Sequence, residues 1–211
     1  MRLGVLASHG GTNLQAIIDA CRDGRLNAEV SVVVSNNSRA KALRRARDAS
    51  IPSFHISSQT HPVPEQLDAA ICETLLAHGV DLVVMAGYMK LVGPKTLNQF
   101  RSRIINTHPA LLPKFGGQGM YGDRVHEAVL AAGEKLTGVS IHLADEAYDR
   151  GPIVAQCEIA VRDGDTVETL RARVLAQEHA FLVETLGRIV RAEIDLDRLA
   201  SGTPVARGPA R

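Results

Sequence analysis

Short apolar runs alternate with longer amphipathic stretches through the first half of the chain, and this alternation leaves few folds open. Leu3–Ala7, Val30–Val34, Pro52–His55 and Leu82–Ala86 read as short strands bounded by turn residues. Between them, Asn13–Arg22, Arg39–Ala49 and Glu65–His78 read as helices. Leu14, Ile17, Ile18 and Cys21 fall at helical spacing in the first, and Leu67, Ala70, Ile71, Leu75 and Leu76 are expected to face inward in the third. A β-α-β-α order of this kind implies a mostly parallel central sheet with right-handed crossovers and flanking helices, here a single Rossmann-like α/β domain.

Further along, Gly93–Phe100 reads as a short helix, Arg103–Asn106 as a strand, and Pro109–Asp123 as a long loop rich in glycine and proline. A short helix, His126–Ala132, and two strands, Thr137–Leu143 and Ile153–Val161, follow. Thr166–Val190 is a long C-terminal helix whose inward stripe is expected to hold Val167, Leu170, Val174, Leu182, Leu186 and Ile189. The domain is placed at 1–194. Residues 195–211, ending in a Gly, Pro, Ala and Arg-rich run, are expected to be disordered.

Composition narrows the function classes. Apolar residues make up 45% of 211 positions, enough for one sizeable core, but aromatics are 3% and Trp is absent, so that core is aliphatic. A net charge of +1 gives no footprint for a general nucleic-acid binder. Cys21, Cys72 and Cys157 have no zinc or redox spacing and read as buried free thiols. No apolar run approaches the roughly 18 residues that span a bilayer, and the N-terminus runs directly into a strand, so a cytoplasmic protein without a membrane partner is expected.

Ser8-His9-Gly10-Gly11-Thr12-Asn13 joins the first strand to the first helix. At the carboxyl end of a parallel strand, helix N–H groups and two glycines suit a phosphate; a tight turn with Thr12 or Asn13 as the helix cap explains the same residues. The pattern is neither GxGxxG nor a Walker loop, so no nicotinamide cofactor is expected. Asn106 and His108 lie two apart at a strand end and so share one face. An amide N–H can stabilise a developing oxyanion, and an imidazole can carry protons near neutral pH. Asp149 is the plausible third member. Beside His108 it would raise the imidazole pKa and favour the charged ring. Turn chemistry is the competing reading for all three. His142 reads as a packed or supporting histidine, and His9, His55, His61 and His78 as surface or turn residues. The Gly116–Gly122 segment reads either as a lid or as a loose surface loop. No His or Cys spacing suggests a metal.

Asn106-Thr107-His108-Pro109-Ala110-Leu111-Leu112-Pro113, Gly138-Val139-Ser140-Ile141-His142 with Asp149-x-Gly151-Pro152-Ile153, and Ala86-Gly87-Tyr88-Met89-Lys90-Leu91 together resemble the signatures of the folate-dependent formyltransferases. Gly10–Ile17 and Gln177-Glu178-His179 resemble the branch that formylates glycinamide ribonucleotide, and the likeness covers about residues 1–190. The resemblance implies small-molecule substrates, with 10-formyltetrahydrofolate as cosubstrate, and a monomer or homodimer. It implies Asn106, His108 and Asp149 as catalytic residues. Gly11, Thr12 and Asn13 would hold the nucleotide phosphate and Glu178 the ribose. Met89, Lys90, Leu91, Val92, Asp145 and Tyr148, with Asn106 and Asp149, would line the folate pocket. Where the family commonly has an arginine at the start of the third helix, this chain has Pro64, and Lys90 stands where some relatives have arginine. The competing readings are formyl transfer to another amine or to water, a non-catalytic nucleotide-binding module, and a nicotinamide-dependent dehydrogenase.

Overall fold

The computed structural model describes residues 1–201. Seven strands form one sheet in the order β3-β2-β1-β4-β5-β6-β7. The strands are β1 (Arg2–Leu6), β2 (Glu29–Ser35), β3 (Ser53–His55), β4 (Leu82–Met85), β5 (Ile104–His108), β6 (Leu136–Leu143) and β7 (Ile153–Ala160). The first five pair in parallel, whereas β5 with β6 and β6 with β7 are antiparallel. Helices α1 (Thr12–Arg22), α2 (Lys41–Asp48), α3 (Pro64–Ala77) and α4 (Pro94–Gln99) make the crossovers. They are followed by α5 (Asp123–Ala131), α6 (Val167–Val190) and α7 (Leu196–Ala200).

Two aliphatic cores lie on the two faces of the sheet. One is built around Leu3, Val5, Ile105 and Ile141 with α1 and α6; the other sets Leu6, Val83 and Ile104 against Ile71 and Leu75 of α3. Period-2 alternation along β1 and β5 divides the side chains between them. The α6 stripe holds Leu170, Val174, Leu182, Leu186 and Ile189 as expected, but Val167 is only half-buried and Glu178 is buried within it. Thr166 caps this helix, its hydroxyl accepting from Thr169 N–H at 3.3 Å while the Thr169 hydroxyl accepts from Thr166 N–H at 2.9 Å.

Several details differ from the sequence reading. Leu76, expected inward on α3, is 45% exposed; Asp68 is buried instead. Its carboxylate accepts Lys95 N–H (2.7 Å), Thr96 N–H (3.1 Å) and the Thr96 hydroxyl (2.6 Å), so it caps the first turn of α4 from a neighbouring helix. β5 runs on to His108, so both candidate residues stand on the strand. The tail expected after residue 195 begins with α7, held at its start by Asp195, whose Oδ1 accepts from Asp197 and Arg198 N–H. The remainder of that expectation, 202–211, lies outside the described residues. The three cysteines are free; Cys72 is buried and Cys21 and Cys157 are partly so. No helix among the described residues is long and apolar enough to cross a membrane.

Candidate active site

A cleft of about 530 Å³ opens at the carboxyl edge of the parallel strands, where open α/β sheets bind ligands. Asn106 and His108 point into it from β5. Antiparallel pairing puts His142 of β6 opposite Asn106 and Ser140 opposite His108, so all four share one face. Thr107, between the first two, points to the other face and meets Glu178 of α6.

The polar contacts define the chemistry. The His142 ring nitrogen Nδ1 lies 2.8 Å from the Leu143 carbonyl, which can only accept, so Nδ1 carries the proton and Nε2 accepts. Asn106 Nδ2 donates to that Nε2 (3.0 Å) and to Asp149 Oδ1 (3.3 Å). His108 Nε2 donates to the Phe115 carbonyl (2.8 Å), while its Nδ1 lies 3.5 Å from Asp149 Oδ2. Asp149 Oδ2 also accepts Gly117 N–H at 2.9 Å. Ser140 anchors the turn after β5, donating to Ala110 O (2.6 Å) and accepting Leu112 N–H (3.0 Å).

Burial sets the protonation states. It lowers the His108 pKa below the ordinary value, and the raising effects of the Asp149 charge and the Phe115 hydrogen bond do not overcome it. The expectation that Asp149 would raise this pKa is thus corrected: the carboxylate acts in that direction, but desolvation of the charged ring is larger. For Asp149 the balance is opposite. Burial pushes the carboxyl up, but the neighbouring His142 and His108 rings together with Gly117 N–H hold it below the usual carboxylate value. Asp149 has φ +57° and Phe115 φ +56°. Left-handed backbone is costly for a residue as bulky as phenylalanine, so the surrounding contacts hold these two in place. Gly151 lets the Asp149 loop lie back on β6, since a Cβ there would sit 1.8 Å from the Leu143 carbonyl oxygen.

On one side of this centre, α1 starts at Gly11 (φ +66°) with no side-chain cap. Neither Thr12 nor Asn13 caps it, contrary to the turn reading. Asn13 Nδ2 instead donates to Glu178 Oε1 (3.0 Å), which also accepts the Thr107 hydroxyl (2.8 Å). Burial raises the Glu178 pKa against these two hydrogen bonds. Met89, Lys90, Leu91 and Val92 run between β4 and α4 and line the cleft, as do Asp145 and Tyr148. Met89 N–H is fixed by the Ser8 hydroxyl at 2.8 Å, tying this loop to the glycine turn. Burial pushes the Tyr88 phenol up to about 12. Pro64 is exposed at the first turn of α3 and does not line the cleft.

The sequence reading missed several cleft residues. His9, taken as a surface or turn residue, lines the cleft, as do Tyr121, Arg124, His126 and Arg171. The Gly117–Gly122 stretch forms part of the wall. Among the described residues no group of three or more His, Cys, Asp or Glu side chains is arranged to hold a metal ion.

Fold and site together define an α/β enzyme with an amide, an imidazole and a carboxylate gathered at the carboxyl edge of its sheet. The formyl transferase family model matches residues 1–186, and the chain belongs to that family. It is 40% identical over 188 residues to a phosphoribosylglycinamide formyltransferase of Mycobacterium tuberculosis, covering 89% of this chain and 84% of that protein. It is 39% identical over 194 residues to a chloroplastic phosphoribosylglycinamide formyltransferase of Arabidopsis thaliana; these are 92% of this chain, which spans 66% of that relative's length. The crystal structure of glycinamide ribonucleotide transformylase 1 from Symbiobacterium toebii matches with a TM-score of 0.85 at 43% identity, covering 91% of this chain and 88% of that one.

Proposed function

We propose that the chain transfers the formyl group of 10-formyltetrahydrofolate to the amine of glycinamide ribonucleotide, giving the N-formyl product and tetrahydrofolate in purine synthesis. The observation that carries this reading is the convergence of Asn106, His108 and Asp149 between an unblocked helix start at Gly11 and the apolar Met89–Val92 loop. The first suits a phosphate. The second offers apolar side chains and backbone groups to a flat heterocycle, and Tyr148 lines the same cleft. Lys90, exposed at the mouth, supplies a point charge for an anionic tail. The reading includes a cytoplasmic monomer or homodimer that needs neither metal nor nicotinamide.

In the mechanism, the neutral amine nitrogen attacks the formyl carbon and the carbonyl electrons move to oxygen. An Asn106 N–H stabilises that oxyanion. Both Asn106 N–H groups are engaged before substrate binds, and the 3.3 Å bond to Asp149 is the weaker one to exchange. His108, neutral at rest, gains basicity as negative charge develops beside it and takes up, in passing, the one proton that the attacking nitrogen releases, with Asp149 holding the transient imidazolium. Collapse breaks the bond from carbon to the folate nitrogen, and the proton released by the attacking nitrogen passes by way of Asp149 and water to that leaving nitrogen.

A transfer assay with both substrates, run beside an acceptor-free control, tests the reading. Loss of the formyl group only when the nucleotide is present supports it. Formate release without acceptor would reassign the chain to hydrolysis, and inactivity with this nucleotide would require another amine.

A further inference from the structure

The α6 helix turns Arg171, Val174, Leu175 and Glu178 along one wall of the cleft, and α5, packed against α6, adds His126 to the same wall. This wall meets α1 through the Asn13–Glu178 hydrogen bond, which joins it to the helix that starts at the glycine turn. His126 is 3% exposed, and its buried Nδ1 has no hydrogen-bond partner. Buried polar atoms are nearly always paired, so this nitrogen calls for a partner. The neighbours do not supply one. Both Asp123 carboxylate oxygens lie 2.9 Å from Arg171 Nη1, and the Arg124 guanidinium lies 5.1 Å over the Tyr121 ring. No hydrogen bond on Nδ1 has to break for the ring to turn toward a ligand.

We infer that His126 is a further binding residue of the nucleotide half of the cleft, hydrogen-bonding an uncharged hydroxyl or amide of a ribosyl-glycinamide acceptor. This deepens, and rests on, the formyl-acceptor reading above. An uncharged partner fits because burial lowers the pKa of the ring, the Asp123 charge acting against it and the Arg171 charge with it. A neutral imidazole offers one donor and one acceptor, which matches a hydroxyl or amide better than a phosphate dianion. The phosphate has its own seat at the start of α1. An apolar side chain would fill the same space without an unpaired nitrogen, so retention of polarity here serves a ligand at a cost in stability.

The test is calorimetric binding of glycinamide ribonucleotide to the full chain, with the Michaelis constant for 10-formyltetrahydrofolate and the melting temperature measured in parallel. His126→Leu is expected to melt no lower than the wild type, to weaken nucleotide Kd about tenfold, and to leave the folate constant within about twofold. His126→Asn, which keeps a polar atom near the Nδ1 position, is expected to bind within about threefold of wild type. Wild-type nucleotide affinity in the leucine variant overturns the inference. Should that variant not fold, His126→Asn and His126→Gln decide: Kd values about tenfold apart support a positioned hydrogen bond, and equal values overturn it. A wild-type chain that binds no glycinamide ribonucleotide overturns the functional reading itself, an outcome distinct from variants that bind as wild type does.

Discussion

Gly11→Ala tests whether the start of α1 is a built anion site or an ordinary turn. Gly11 has φ +66°, and a Cβ there would lie 2.8 Å from both Cα and Cβ of Ala42. Left-handed backbone costs an alanine about 1–2 kcal/mol. The clash is with a helix backbone, so α2 must move, and overpacking of this kind costs about 1–3 kcal/mol more. The shift also strains the bond from Ala42 N–H to the His9 carbonyl, 3.1 Å, which fixes the turn. Gly10 is the internal control. It has open space around its Cβ position and no left-handed φ, so Gly10→Ala should change stability by less than about 0.5 kcal/mol. Urea unfolding should therefore separate the two variants by about 2–5 kcal/mol. If the turn holds the nucleotide phosphate, surviving Gly11→Ala enzyme should show a nucleotide Michaelis constant raised about tenfold or more, with the folate constant little changed. Equal unfolding midpoints for the two variants would refute the packing argument, and an unchanged nucleotide constant in a destabilised variant would refute the phosphate site.

Asn106→Ala should lower turnover about 10²–10³-fold in steady-state assays, since it removes the oxyanion donor and leaves His142 Nε2 and Asp149 Oδ1 short of a hydrogen bond. Asp149→Asn should lower the His108 pKa further, because the carboxylate is the main group raising it; an NMR titration of the ring that stayed at the wild-type midpoint would contradict this. Asp68→Ala removes the cap of α4 and should lower unfolding free energy by about 2 kcal/mol in urea. His108, His126 and His179 all have pKa values lowered by burial, so they contribute stability above about pH 6.5 that is lost as pH falls through the folded values. Asp149, also lowered, adds a loss of the same sign across the carboxylate range, and melting temperatures measured from pH 8 down to 4 should fall.

The parallel half of the fold was legible because buried parallel strands are short Val and Ile runs and their crossover helices are amphipathic. β5 was read two residues short since Thr107 and His108 break its apolar run, although both are buried. Leu76 was misassigned because helical spacing cannot tell an inward leucine from one at the edge of the stripe; Asp68 looked like a surface residue until α4 gave it three donors. Asn106 and His108 were readable as a pair from strand period alone, whereas Asp149 could be offered only as a plausible third member, its partners lying 43 and 32 positions away at Asn106 and Gly117. Glu178 did leave a local signal, a carboxylate at the i, i+4 position between Val174 and Leu182 on a buried stripe. His126 left none, since an α5 histidine beside Val125 and Val129 looks like any other until α6 is in place.

One short segment links the order of the glycine-rich loop to the state of the reacting groups. The Phe115 carbonyl accepts a hydrogen bond from His108 Nε2, which fixes the tautomer, and Gly117 N–H donates to Asp149 Oδ2, which fixes the carboxylate. Both residues lie at the start of the Gly116–Gly122 loop, and Phe115 holds a left-handed φ of +56° to make its contact. Loosening this segment would release both bonds together, admit water to a buried imidazole and return its pKa toward the ordinary value. Substrate contacts that order the wall from Gly117 to Gly122 would act in the opposite direction. The order of this segment and the protonation of His108 and Asp149 are coupled through these two bonds, so a substitution that shifts Phe115 or Gly117 should change turnover through His108 and Asp149 even where it touches neither substrate.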